Sequence, residues 1–291
     1  MSRLSAVPPT QNDQQKIEVT SMSQIQDTHA HVPGTGTGTG ASTGTDLPPS
    51  PPQEPIAPSG FRVEGLDLHD PRLAERYGTV VLGLSPFNSF YSTETVTALC
   101  RSASVSFDDV HVVLPGAPES ALRHISAGKA PRRAVQRSKR VIHNMRNVAR
   151  RTLADCGVPD TDSRVHVLTR FAAHPRYREV RTRIETAYRT QTPMREAVCA
   201  MTRTALEASI DSEPTPAQIE DNTRYIFAES PLLLDSTGVL ARPRALFVYH
   251  RRVPVYDVVA DGQVPGLTIG SGHVLSVLTD ERNDRDDHDS R

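Results

Sequence analysis

Uninterrupted apolar runs recur along the middle of the chain: Thr79-Val-Val-Leu-Gly-Leu84, Val110-His-Val-Val-Leu114, Arg164-Val-His-Val-Leu-Thr169 and Ala245-Leu-Phe-Val-Tyr249. Short runs of this kind, rich in β-branched residues and without polar alternation, predict strands buried on both faces of a sheet. Between them the apolar positions fall three and four residues apart. That spacing predicts helices at Pro131–Cys156, Pro175–Thr190, Pro193–Ser209 and Pro216–Leu234, with prolines placed to suit a first turn. Buried strands separated by helices imply a Rossmann-like, doubly wound α/β fold around a parallel sheet. Such sheets bind ligands beyond the carboxyl ends of their strands, so chemistry is expected just after Leu84 and around Tyr249.

The pattern fails at both ends. From Met1 to Gly60 there is no Phe, Tyr or Trp, yet nine of the 23 prolines fall there, among Gln, Ser and Thr. A segment so poor in apolar surface cannot offset its chain entropy, and residues 1–60 are expected to be a disordered extension. Within it, Gly34-Thr-Gly-Thr-Gly-Thr-Gly40 has neither the preceding strand nor the following helix that a phosphate-binding glycine loop requires. Pro48 to Pro58 reads as an extended spacer. Residues 280–291 are nearly all charged or polar and read as a flexible tail, leaving 61–279 as the folded domain.

Composition narrows the class. With 33 Lys and Arg against 34 Asp and Glu, the net charge of -1 excludes a uniformly basic coat but not a local basic patch. Cys100, Cys156 and Cys199 are scattered and odd in number, which fits a reducing compartment. No run reaches membrane-spanning length, so a cytoplasmic chain without a membrane partner is expected. No His or Cys spacing points to a metal, and no cofactor is expected. A monomer that does not bind DNA is the expected form.

Candidate chemistry gathers at the predicted strand ends. Ser85 follows the first strand directly, between Gly83-Leu84 and Pro86, on a tight turn at the active end of the sheet. It stands where a nucleophile would, although a serine there also serves as a helix cap. The hydrolase elbow GxSxG fails because Phe87 occupies the place of its second glycine. Asn88 offers an amide to an oxyanion or to the turn. Tyr225 and Glu229 are four apart on a predicted helix and share one face. Among apolar neighbours Glu229 would be costly to bury unless a cation such as a substrate ammonium paired with it. Tyr249 and His250 end the last strand, placing a phenol and an imidazole at the same edge.

A basic stretch stands apart. Eight Lys or Arg lie between Arg132 and Arg151, and no acidic residue occurs from Ser120 to Ala154. At about 100° per residue, Arg133, Arg137, Arg140 and Arg151 form one stripe, and Arg132, Lys139, Arg146 and Arg150 a second. Val141, Ile142, Met145, Val148 and Ala149 form the apolar face. A one-signed helix in a nearly neutral chain is an anion-binding surface, with a phosphate backbone the natural anion.

Together Gly83-Leu-Ser85-Pro-Phe-Asn88-Ser89, Tyr225-x-x-x-Glu229-x-Pro231-Leu232 and Tyr249-His250 resemble the motifs of the cyclodipeptide synthases. These enzymes use two aminoacyl-tRNAs to make a cyclic dipeptide, a 2,5-diketopiperazine. Their fold resembles the catalytic domain of class I aminoacyl-tRNA synthetases. Asn88, Tyr249 and His250 are similar to the set that marks the Asn-Tyr-His subfamily. The resemblance implies that Ser85 accepts the first aminoacyl group, that Tyr225 and Glu229 hold its amine, and that Tyr249 orients substrate and relays a proton. Asn88 and His250 would shape the centre, and the basic helix would dock tRNA. Pocket walls for the first side chain would be Val81, Gly83, Leu232 and Phe247. Neither HIGH nor KMSKS, the ATP-dependent activation signatures, is present. The family pattern also places an Asn-Arg pair before the Tyr-Glu helix. Here that loop reads Ser209-Ile-Asp-Ser-Glu-Pro-Thr-Pro216, and second-substrate contacts stay unassigned. A non-catalytic RNA-binding module and a small-ester serine hydrolase are the competing readings.

Overall fold

The computed structural model describes residues 60–280. The expected N-terminal extension, its glycine-threonine run and its proline spacer lie outside the described residues, as do the last eleven positions. Strands β1 (Phe61–Val63) and β2 (Leu66–Asp67) precede α1 (Pro71–Tyr77), β3 (Thr79–Gly83), α2 (Thr93–Ser106) and β4 (Asp109–Leu114). Then follow α3 (Ala117–Ser126), α4 (Pro131–Asp155), α5 (Thr161–Arg164) and β5 (Val165–Val167). A 3-10 turn at Leu168–Phe171 leads into α6 (Pro175–Thr190), α7 (Thr192–Glu207) and α8 (Pro216–Leu240). The described residues finish with β6 (Ala245–Tyr249), α9 (Pro254–Ala260), β7 (His273–Val277) and β8 (Thr279–Asp280).

Five strands form the parallel sheet, in the order β5-β4-β3-β6-β7. Strand order therefore reverses between β3 and β6, and the crevice beyond their carboxyl ends is where such a fold takes its ligand. Side chains alternate cleanly along the strands. Val80 and Leu82 of β3 and Leu246 and Val248 of β6 pack with α1, α2 and α4, whereas Val81, Phe247 and Tyr249 pack with α6, α7 and α8. Each face of the sheet thus carries its own core, which explains why the strands read as unbroken apolar runs.

Several elements depart from expectation. The run Arg164–Thr169 is strand only over Val165–Val167. Its partner ladder ends at Leu114, beyond which Pro115 has no N–H to offer, and the chain turns into the 3-10 segment. Helix α8 runs past Leu234 to Leu240, but Asp235 has non-helical backbone (φ -155°, ψ 61°), so Leu234 does end the first helical stretch. The Asp235 carboxylate accepts from the Gly238 amide at 2.8 Å and from Arg176 at 2.5 Å, restarting the helix as a cap would. Strand β7 was not foreseen. Neither was the small antiparallel sheet β2-β1-β8, in which Phe61 pairs with Asp280, one residue past the expected end of the domain.

Candidate active site

Beyond Gly83 the chain leaves the sheet in a tight turn, closed by the Asn88 amide donating to the Ser85 carbonyl at 3.3 Å. Pro86 fixes the second position, and Phe87 at the third has φ 67°, the arrangement of a type II turn. Ser85 is thereby held at the crevice, 7% exposed, with its Oγ 3.3 Å from the Tyr225 hydroxyl. Tyr225 reaches it from α8, and Glu229 follows one helical turn later on the same face.

Glu229 is 8% exposed, and burial raises its carboxyl to about 7. Hydrogen bonding from Tyr225 and the charges of Arg251 and Arg123 pull the other way. Burial likewise pushes the Tyr225 and Tyr249 phenols well above their ordinary range, reinforced in both by the nearby Glu229 charge. A carboxyl balanced between its two forms near neutrality, beside two protonated phenols, can hold an ammonium group or exchange a proton.

A hydrogen-bond chain braces this centre. The Phe90 amide donates to Asn88 Oδ1 at 2.9 Å, which turns the Asn88 amide nitrogen toward His250 Nε2 at 2.7 Å. Tyr91 donates its hydroxyl to the Gly83 carbonyl at 2.7 Å and so accepts from His250 Nδ1 at 3.2 Å. These partners assign the proton of a neutral ring to Nδ1. Burial, followed by the Arg251 charge, lowers His250 to about 4, which keeps it neutral. His250 thus ties the end of β6 to the Ser85 turn and is poorly suited to relay protons.

Two cavities adjoin the centre. One of about 280 Å³ is lined by Ser85, Asn88, Arg123, Asn222, Tyr225 and Arg251 among others. The other, about 20 Å³, is lined by Gly83, Leu232, Phe247, Glu229 and Tyr249. Three of the four expected pocket walls meet there, while Val81 is wholly buried in the core and is absent from the lining. Gly83 is required by packing: a Cβ there would stand 2.6 Å from Phe247 Cε1 and 2.8 Å from Tyr249 Cδ2.

Helix α4 presents Arg132, Arg133, Arg137, Lys139, Arg140 and Arg151 to solvent. Arg146 and Arg150 are half-buried and pair with Asp162 at 3.5 and 2.8 Å, so the second stripe is partly neutralised by an acid outside the acid-free stretch. Its buried face is Ala134, Ser138, Ile142, Ala149, Thr152 and Leu153, while Val141, Met145 and Val148 are half-buried. Sequence reasoning missed Tyr91, Arg123 and Arg251. Arg123, from α3, donates to Ser209 Oγ at 2.6 Å, to the Ala205 carbonyl at 3.1 Å and to the Pro86 carbonyl at 3.4 Å. It joins the Ser85 turn to the end of α7, a role no spacing could announce.

A cyclodipeptide synthase family model matches residues 61–271, a span that contains every motif residue of the centre. The chain belongs to the cyclodipeptide synthase family. It is 27% identical over 203 residues to the cyclo(L-leucyl-L-phenylalanyl) synthase of Streptomyces noursei, covering 69% of this chain and 84% of that one. With the cyclo(L-leucyl-L-leucyl) synthase of Bacillus subtilis it shares 28% identity over 199 residues, 66% of this chain and 78% of that one. The solved cyclodipeptide synthase of Staphylococcus haemolyticus superposes with a TM-score of 0.68 at 23% identity, covering 75% of this chain and 98% of that one. A Mycobacterium tuberculosis cyclodipeptide synthetase, described as related to type I tRNA synthetases, superposes with a TM-score of 0.62 at 22% identity, covering 77% and 95%. The two superpositions establish a shared fold. Among the described residues no helix is long and apolar enough to cross a membrane, and no group of three or more His, Cys, Asp or Glu could hold a metal.

Proposed function

We propose that this synthase joins two aminoacyl groups, taken from aminoacyl-tRNAs, through esters of Ser85. The convergence of Ser85, Tyr225, Glu229 and Tyr249 on one buried centre at the β3/β6 crevice carries the reading. Ser85 Oγ attacks the ester carbonyl of the first aminoacyl-tRNA, and the terminal ribose hydroxyl leaves with the proton. The amine of aminoacyl-Ser85 then attacks the second ester, forming a peptide bond and releasing the second tRNA. Finally the new terminal amine attacks the Ser85 ester, closing the ring and freeing the serine. Each step exchanges one activated acyl bond for another, so positioning does most of the work and no ATP is consumed.

In this scheme Glu229 holds the first ammonium and accepts its proton as the amine becomes nucleophilic. Tyr225 orients Ser85, and Tyr249 passes a proton at peptide formation or ring closure. Asn88 and His250 fix the turn. Gly83, Leu232 and Phe247 bound the first side chain, and the volume taken by the Phe247 ring among them favours a small or medium one. The exposed arginines of α4 dock the tRNA backbone. Mixing purified protein with one aminoacyl-tRNA and weighing the intact chain tests this: a single aminoacyl adduct on Ser85 is expected. An adduct that persisted in Ser85→Ala would refute the assignment of the nucleophile. Formation of only tryptophan-containing products would refute the small first pocket.

A further inference from the structure

Phe87 breaks a local rule without a local reason. The third position of a type II turn needs positive φ, which glycine adopts freely and a bulky residue only under strain, yet Phe87 sits there at φ 67°. Strain of this kind persists where surrounding contacts enforce it. Those contacts converge on its half-buried ring. His124 meets it edge-on at 4.4 Å between centroids, and the guanidiniums of Arg123 and Arg137 lie 5.9 and 5.7 Å from its centroid. Arg123 also donates to the Pro86 carbonyl of the same turn, and Arg137 belongs to the exposed basic stripe of α4. The ring is therefore where three things meet: the turn that aims Ser85, the helix that carries Arg123, and the cationic surface.

We infer that Phe87 is a positioning residue, whose clamped ring holds the Ser85 turn in its reactive geometry and couples it to Arg137. This rests on the tRNA-dependent reading above. Glycine would give the turn its backbone at no strain but would leave nothing for Arg123, His124 and Arg137 to grip. Backbone comfort and side-chain function can thus be separated by substitution.

Phe87→Gly, Phe87→Ala and Phe87→Tyr are to be compared by thermal melting and by steady-state formation of cyclic dipeptide. Alanine and glycine both lose the ring, but only alanine keeps the strain, so glycine should melt roughly 2–4 °C higher than alanine. Turnover should instead follow the ring: near wild type for tyrosine, and reduced at least tenfold in kcat for both alanine and glycine. Arg137→Gln should lower kcat in the wild-type background and have no further effect on kcat in Phe87→Gly. Turnover that tracked melting temperature, with glycine recovering over alanine, would overturn the inference by reducing Phe87 to a structural role. Additive effects of Arg137→Gln and Phe87→Gly on kcat would overturn the coupling. A wild-type chain that made no product from aminoacyl-tRNA would instead refute the functional reading, and this inference with it.

Discussion

Replacing Glu229 by glutamine should make the protein more stable and less active, with an effect on stability that depends on pH. The carboxyl is buried among apolar residues of α8, and its proton affinity rises from the ordinary 4.5 to about 7. At about 1.4 kcal/mol per tenfold change in proton affinity, holding it ionised in the fold costs about 3 kcal/mol. Because the native state binds this proton more tightly than the unfolded chain does, stability is highest below about pH 4.5 and falls as pH rises toward 7. Glutamine keeps the shape and can still accept from a phenol, but it carries no charge. At pH 8 the Glu229→Gln protein should therefore melt roughly 6–12 °C above wild type. At pH 5 the wild-type side chain is protonated in the fold, and the advantage should shrink to under about 1 kcal/mol. Turnover should fall roughly 100-fold or more if Glu229 exchanges the substrate proton. Calorimetric melts of both proteins at the two pH values read this directly. A variant no more stable than wild type at pH 8, or an equal advantage at both values, would refute the argument from desolvation.

Other outcomes follow from the same geometry. Gly83→Ala forces a methyl against Phe247 and Tyr249, so it should cost about 1–3 kcal/mol in denaturant unfolding and lower kcat by displacing the Tyr249 phenol. Nitrogen-resolved NMR of His250 should show a neutral ring protonated at Nδ1 down to about pH 5; an imidazolium at pH 6 would contradict the assigned hydrogen-bond chain. Replacing Arg133, Arg137 and Arg140 together by glutamine should weaken tRNA binding and flatten its dependence on salt, since fewer counterions are released. An unchanged salt slope would remove α4 from the docking surface.

Much of the fold was legible because it rests on periodicity. Strand β6 and helix α6 coincide with the apolar patterns Ala245–Tyr249 and Pro175–Thr190, and the first stretch of α8 ends where Asp235 breaks the backbone. Strand β7 escaped notice because His273–Val277 is an edge strand, mostly half-buried and without a continuous apolar run. Ser85 and Tyr249 stood out by their place at strand ends and Tyr225 and Glu229 by their four-residue spacing, but only the resemblance to the cyclodipeptide synthase motifs joined the four, which the fold brings together at one crevice. Arg123, Tyr91 and Arg251 were not, since each acts on a residue distant in sequence or through charge at the cavity wall. The acid-free run of α4 is visible in the sequence, but the partial neutralisation of Arg146 and Arg150 depends on Asp162 folding back beside them.

In the proposed reaction Ser85 carries the growing product. Unbiased mass spectrometry of medium from a bacterial host expressing the wild-type chain, beside one expressing Ser85→Ala, tests it most directly. A cyclic dipeptide that appears with wild type and vanishes with Ser85→Ala, while the variant still folds and binds tRNA, is the predicted result. The same cyclic dipeptide at equal yield from both cultures would contradict it.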